Sequence, residues 1–197
     1  MVYLIFILVE YSFWSGINLI NLSDLLFKMD VSVVLPCRNE EQAVVYCIRK
    51  ILTVLKENKI KGEIIVSDSS TDNTYDLIKE FPITIIRHNK AGYGNAYLEA
   101  FKHLKGKNVV MVDADDTYNY DEIPKFFGML KYYDLVLGNR FANPLPRDAM
   151  PFLHKHFGNP LLSFLIRLLY KVDVVDAHSG FRAISCENLK KLNLVSH

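Results

Sequence analysis

The stretch VVMVDADDTYNYDEIP, residues 109–124, ends an apolar run on three acids in four residues, Asp113, Asp115 and Asp116. In extended backbone, residues i and i+2 point to one side, so Asp113 and Asp115 share a side. Ala114 between them is small and leaves the backbone open to a ligand. Two carboxylates so placed suit a hard cation, Mg²⁺ or Mn²⁺, whose shell phosphate oxygens complete. Asp also favours ordinary turns, and an acidic cluster can cap the helix that follows. On these residues alone both readings stand.

Other polar residues fall at similar places. In VSDSSTDNT (66–74), Asp68 precedes the local cap candidates Ser70, Thr71 and Asp72. It is therefore free to accept hydrogen bonds from a ribose or a base. In LPCRNEE (35–41), Pro36 ends a strand and fixes the exit of the chain. Asn39 reads either as a helix cap or, with Glu40, as a border for a nucleotide. Glu40 and Glu41 also favour a helix N-terminus through its dipole. NKAGYGNA (89–96) is a glycine loop entering a helix, whose free N–H groups can receive phosphate. It has neither GxGxxG nor a P-loop pattern, so a plain tight turn competes equally. His154 and His156 do not share a helix face, which makes them a poor metal pair.

The elements that must position these residues alternate. Short β-branched runs at 31–36, 62–68, 83–88 and 108–115 read as strands, and YDLVLGNRF supplies a fifth. Helical spacing runs through 40–58, with Val44, Cys47, Ile48, Ile51 and Leu55 on one face. STDNTYDLIKEF, GYGNAYLEAFKHLKG and DEIPKFFGMLKY read as further helices. This order predicts an α/β, Rossmann-like single domain: a mostly parallel sheet flanked by helices. Such sheets bind ligands beyond the carboxyl ends of their strands, where all the candidate residues fall.

The chain has 197 residues, 50% of them hydrophobic and 23% charged, with a net charge of +1. That is globular composition, and without a basic run or a zinc-finger pattern it implies no nucleic-acid partner. Three cysteines, with no CxxC, argue against a disulfide framework and fit a reducing compartment. Residues 1–29 form a hydrophobic N-terminal segment, with the domain expected over 30–197. Within MVYLIFILVEYSFWSGINLINL the single charge is Glu10. A span needs about 20 apolar residues, and here serines and asparagines dilute the run. It reads as a helix packed on the domain or on a membrane surface, with a membrane-spanning anchor as the alternative. MPFLHKHFGNPLLSFLIRLLYK (150–171) mixes basic residues with leucines. It reads either as an interfacial helix beside lipid headgroups or as an amphipathic helix covering the sheet.

VSVVLPCRNEE, EIIVSDSSTDNT, NKAGYGNAYLEAF, VVMVDADDTYNYDEIP, LVLGNRF, MPFLHKHFGNP and VVDAHSGFRAIS, in this order, resemble glycosyltransferase family 2. The family has a GT-A fold, and the likeness is greatest to its dolichyl-phosphate (polyprenyl-phosphate) sugar transferases, dolichyl-phosphate mannose synthases among them. The resemblance implies a UDP- or GDP-linked sugar donor, a polyprenyl or dolichyl phosphate acceptor, and Mg²⁺ or Mn²⁺ held at Asp113 and Asp115. It places Pro36, Asn39, Glu40 and Asp68 around the nucleoside, with Lys90 and Gly92 on the phosphate side. It places Arg140 of GNR and Arg182 of SGFR near the lipid phosphate or the donor diphosphate. Arginine suits both, because its planar fork grips phosphate bidentately. A transferase of this kind is expected at the cytoplasmic face of a membrane and to invert the anomeric centre by in-line displacement.

One departure matters. Relatives acting on hydroxyl acceptors usually carry a later acidic base, often an ED pair, and none is found here. Asp173, Asp176 and Glu187 are the remaining acids in that region, and Asp176 is expected to orient Arg182 or His178 or to sit in a structural turn. A phosphate acceptor is already anionic near neutral pH and needs no base. Two alternatives remain: a same-fold transferase acting on a polysaccharide or lipid hydroxyl, and a non-catalytic relative that binds nucleotide or lipid.

Overall fold

The computed structural model describes residues 5–7, 29–142 and 158–195. Seven strands form one sheet: β1 (Ile5–Ile7), β2 (Met29–Cys37), β3 (Gly62–Asp68), β4 (Thr84–Arg87), β5 (Gly106–Met111), β6 (Leu135–Leu137) and β7 (Arg182–Ser185). Their order is β1-β6-β7-β5-β2-β3-β4. Strands β5, β2, β3 and β4 run parallel. β7 pairs antiparallel with both β5 and β6, and β1 pairs antiparallel with β6. The expected α/β architecture is present, with an antiparallel flank beside the parallel block.

Alternation along β2 builds both cores. Val33, Leu35 and Cys37 face α1 (Val44–Glu57) and α4 (Ile123–Met129). Val34 faces the other way, with Ile65, Val109 and Met111, onto Tyr97 and Ala100 of α3 (Tyr93–Phe101) and Leu189 of α6 (Cys186–Lys191). Burial on both faces explains why the central strands read as continuous β-branched runs. The positions expected on the inner face of α1 are all buried, and Val54 joins them. α2 (Thr74–Ile78) is a single short turn of helix, opened by Asp72, whose Oδ1 accepts from the Thr74 N–H at 3.0 Å.

Several expected boundaries shift. The first helix starts at Val44 rather than Glu40, so Asn39 does not cap it. DEIPKFFGMLKY divides into a 3₁₀ turn at Tyr120–Glu122, capped by Asn119, and α4 with Pro124 in its first turn. β5 stops at Met111, but the Val112 N–H still donates to the Val34 carbonyl at 3.1 Å. Asp113 is the first residue beyond the ladder. In the N-terminal segment Ile5–Ile7 form a strand rather than the expected helix, because β6 offers them an open edge. The remainder of that segment, and residues 143–157 with His154 and His156, lie outside the described residues. α5 (Asn159–Tyr170) falls within the expected 150–171 helix. Among the described residues, no helix is long and apolar enough to cross a membrane.

Candidate active site

A cleft of about 380 Å³ opens at the carboxyl ends of β2 and β5 and the start of α3. Pro36, Glu40, Gly92, Asp113, Ala114 and Asp115 line it, joined by Arg38 and Tyr93. Six of the residues singled out in the sequence thus share one cavity. Gly92 enters α3 with φ of 101°, a left-handed conformation that favours glycine.

Asp113 is tightly constrained. One carboxylate oxygen accepts from the Tyr93 hydroxyl at 2.6 Å, and its backbone carbonyl accepts from Tyr120 Oη at 3.0 Å. The other oxygen lies where a Cβ on Gly180 would come within 2.3 Å. Burial pushes the Asp113 carboxyl up, the Tyr93 hydroxyl pulls it down, and Asp115 pushes it up again. Arg140 and Arg182 act in the stabilising sense from further off. Asp115 is exposed, and among the described residues its side chain accepts from the Thr117 N–H alone, at 3.0 Å. Glu40 is held above the usual range by burial, then by Asp115, Asp113 and Asp72. Carboxylates therefore crowd one end of the cleft, and among the described residues Arg38 is the one basic side chain in its lining.

The remaining nucleoside-side residues have different placements. Asp68 is fully buried; Oδ1 accepts from the Ser70 N–H at 2.9 Å, and Oδ2 lies 3.4 Å from Arg87 Nε without a hydrogen bond. The Arg87 guanidinium thus lies against this second oxygen, and Asp68 is not among the residues that line the cleft. Asn39 does not line the cleft. Its φ is 62°, and its side chain accepts from the Thr71 N–H at 2.9 Å, tying the β2 loop to the β3 loop. Lys90 also lies outside the cleft lining, because Glu99 on α3 takes its ammonium group.

The arginines approach from the antiparallel flank. Arg182 sits opposite Met111 in the β5–β7 register, and its Nε donates to the Ser179 carbonyl at 2.7 Å. Arg140 donates through Nε and Nη2 to Asp176, at 2.8 and 2.9 Å. Asp176 thus orients Arg140, not Arg182 or His178 as expected. The SGFR segment is anchored by Phe181, whose ring stacks on Phe126 at 3.9 Å, and by the Gly180 N–H, which donates to Tyr118 Oη at 2.7 Å. Tyr93, Tyr118 and Gly180 are further site residues, to which their motifs alone assign no role. Nothing in the spacing distinguishes a tyrosine that braces a carboxylate from one that packs in a core.

A parallel α/β sheet with acids at its strand ends and arginines on an antiparallel flank is the GT-A class of transferase fold. The family model described as glycosyl transferase family 2 matches residues 32–192, and the chain belongs to that family. It is similar to a low-salt glycan biosynthesis hexosyltransferase of Haloferax volcanii, 39% identical over 173 residues, 87% of this chain and 42% of that protein. It is also similar to a UDP-N-acetylglucosamine–dolichyl-phosphate N-acetylglucosaminyltransferase of Methanococcus voltae, 31% identical over 186 residues, 83% of this chain and 72% of that one. Glucosyl-3-phosphoglycerate synthase from Mycobacterium tuberculosis, solved with Mn²⁺, UDP and phosphoglyceric acid, superposes with a TM-score of 0.62 at 25% identity, over 81% of this chain and 57% of that one. The chain thus spans less than half of the Haloferax relative and little more than half of the solved synthase.

Proposed function

We propose that this domain moves a hexose from a UDP- or GDP-linked donor to a polyprenyl or dolichyl phosphate, with a divalent cation and with inversion. The observation that carries the reading is the two-sided surroundings of Asp113. Asp115 and Glu40 crowd it from the cleft, while Arg140 and Arg182 act on it from the flank. The first side suits a metal–diphosphate and the second suits another phosphate. The Methanococcus voltae relative, named for transfer to dolichyl phosphate, supports the acceptor, and the synthase solved with Mn²⁺ and UDP supports the donor side.

The donor set fits Mg²⁺ or Mn²⁺. Among the described residues no three His, Cys, Asp or Glu side chains form a metal cage. One or two carboxylates, with substrate phosphates completing the shell, are the usual arrangement for such a cation. Asp115 and Asp113 would hold it; when bound, it offsets negative charge on the departing diphosphate. The chain's own residues do the rest. Asp68, backed by Arg87, accepts from the nucleoside, and Arg140 and Arg182 hold the acceptor phosphate in line with the anomeric carbon. A phosphate oxygen forms the new bond to that carbon as the bond to the nucleoside diphosphate breaks.

The hydroxyl-acceptor alternative needs a general base, and the later acids serve it poorly. Burial raises the Asp176 carboxyl, but hydrogen bonds from Arg140 and Asn159 outweigh that and hold it below its ordinary value. Glu187 is exposed and paired with Lys191, and Asp173 is exposed. We place the enzyme at the cytoplasmic face of a membrane. Its exposed leucines on α5, together with Arg167 and Lys171, support contact with a lipid surface. The test is transfer of label from a panel of UDP- and GDP-sugars into the organic phase, with a polyprenyl phosphate and Mn²⁺ or Mg²⁺. Metal-dependent transfer is expected. Metal-dependent nucleotide binding without transfer would favour a hydroxyl acceptor or a non-catalytic relative.

A further inference from the structure

α5 is turned inside out. Its only fully buried side chains are the polar Asn159 and Ser163, while Leu161, Phe164, Leu168 and Leu169 are 51–71% exposed. A helix normally buries its apolar stripe; here the inward face carries one partly buried apolar side chain, Ile166, packed against the Leu137–Val174 cluster, and hydrogen bonds supply the rest of its hold. Asn159 Nδ2 donates to Asp176 Oδ1 at 2.6 Å, Ser163 Oγ donates to Asn159 Oδ1 at 3.3 Å, and the Ala177 N–H donates to Ser163 Oγ at 3.1 Å. The chain of contacts ends on Arg140. Asp176 is fully buried and accepts four hydrogen bonds: Arg140 Nη2 and Asn159 on Oδ1, and Arg140 Nε and the Arg140 backbone N–H on Oδ2.

We infer that Asn159, Ser163 and Asp176 are positioning residues through which α5 sets the placement of Arg140, and so the affinity for the acceptor phosphate. The inference rests on the proposed role of Arg140 as a phosphate ligand. Its physical basis is the geometry of the fork. Asp176 takes the Nε–Nη2 edge of the guanidinium, and among the described residues Nη1 has no protein partner. A guanidinium clamped along one edge presents the other in a fixed direction, so little ordering remains when phosphate arrives. Without Asn159, Asp176 loses one of its four hydrogen bonds, the one that does not come from Arg140 itself. The arginine then keeps its charge and loses its aim. Donor binding, carried by Asp68 and by the carboxylates of the cleft, contacts none of these three residues.

The experiment is a comparison of Asn159→Ala, Ser163→Ala and Asp176→Asn with the wild-type chain. Each is measured for thermal stability, for Mn²⁺-dependent affinity toward UDP and GDP, and for affinity toward a medium-chain alkyl phosphate by calorimetry. KM for a polyprenyl phosphate follows where transfer is seen. Asn159→Ala is expected to weaken alkyl phosphate binding about tenfold, with the same rise in acceptor KM, while nucleotide affinity and kcat stay within about twofold. Ser163→Ala is expected to shift in the same direction by less and to fold if Asp176→Asn does not. Folded variants that bind alkyl phosphate as the wild type does overturn the inference and leave the transferase reading intact. A wild-type chain that binds nucleotide with metal but no alkyl phosphate overturns the acceptor role of Arg140 and the inference with it. Equal loss of nucleotide and phosphate affinity makes the network a general structural support and also overturns it.

Discussion

Asp113 and Asp115 stand two residues apart and are held in opposite ways. Asp113 is braced by Tyr93, Tyr120 and the bare Cα of Gly180, whereas Asp115 projects to solvent with one local hydrogen bond. Asp115→Asn should therefore leave the melting temperature near that of wild type, since an amide oxygen can still accept from Thr117. Transfer should fall by about a hundredfold or more, the scale expected when charge stabilisation at a leaving group is lost. Near-normal turnover would remove Asp115 from the metal site. Gly180→Ala tests the brace instead. Its Cβ would meet an Asp113 carboxylate oxygen at 2.3 Å and Tyr118 Oη at 3.0 Å. Overpacking of this kind costs about 1–3 kcal/mol, so denaturant unfolding should shift by that amount and metal-dependent nucleotide affinity should drop. The SGFR motif marks the position of this glycine in the sequence. Its reason is visible only in space, because Asp113 lies 67 residues earlier in the chain.

Among the elements, α5 departs furthest from what its sequence implies. Its pattern fits either an interfacial helix or a lid over the sheet, and periodicity alone does not say which face turns inward. The polar staple of Asn159 and Ser163 decides it, and that depends on Asp176, a partner outside the helix. Leu168 and Leu169 are 63% and 71% exposed. Replacing both with serine should leave thermal stability unchanged, since neither packs in the core. Co-sedimentation with anionic lipid vesicles should weaken about a hundredfold, as each of the two leucines removed from water contributes about 1.5 kcal/mol. Vesicle binding equal to wild type would separate α5 from the membrane contact proposed for this chain. The strands divide along a similar line. β2, β3 and β5 are buried on both faces and announce themselves as β-branched runs. β7 has only Ala183 and Ile184 as apolar residues, and it forms because β5 and β6 pair with it on both sides. Such a strand is specified by its neighbours, which no local reading contains.

At the scale of the whole molecule, charge is sorted rather than balanced. The net charge is only +1, yet acids gather at the carboxyl end of the parallel block and two arginines face them from the antiparallel flank. The acidic end was legible because each acid follows its strand directly; the pairing of Arg140 with Asp176 was not, because 36 residues separate them. The sorting has a pH signature. Glu40 and Asp113 are held above their ordinary values, chiefly by burial and then by neighbouring carboxylates, with Tyr93 opposing the shift at Asp113. The folded state therefore binds more protons than the unfolded one between the ordinary and the raised values. Their contribution to stability is fully present below the ordinary carboxylate range and is lost as pH rises through the raised values. Asp176 acts in the opposite sense: lowered by Arg140 and Asn159 against its burial, it contributes above the ordinary aspartate range and loses that contribution as pH falls through its folded value. A cation at Asp113 and Asp115 relieves the first set alone. The rise in melting temperature on adding Mn²⁺ should thus be small near about pH 4 and grow toward about pH 7, as the cleft carboxylates ionise. Asp115→Asn should flatten that growth, while Asp176→Asn should leave it in place and remove the acid-side loss. A rise independent of pH, or one unchanged in Asp115→Asn, would mean that Mn²⁺ binds away from these carboxylates.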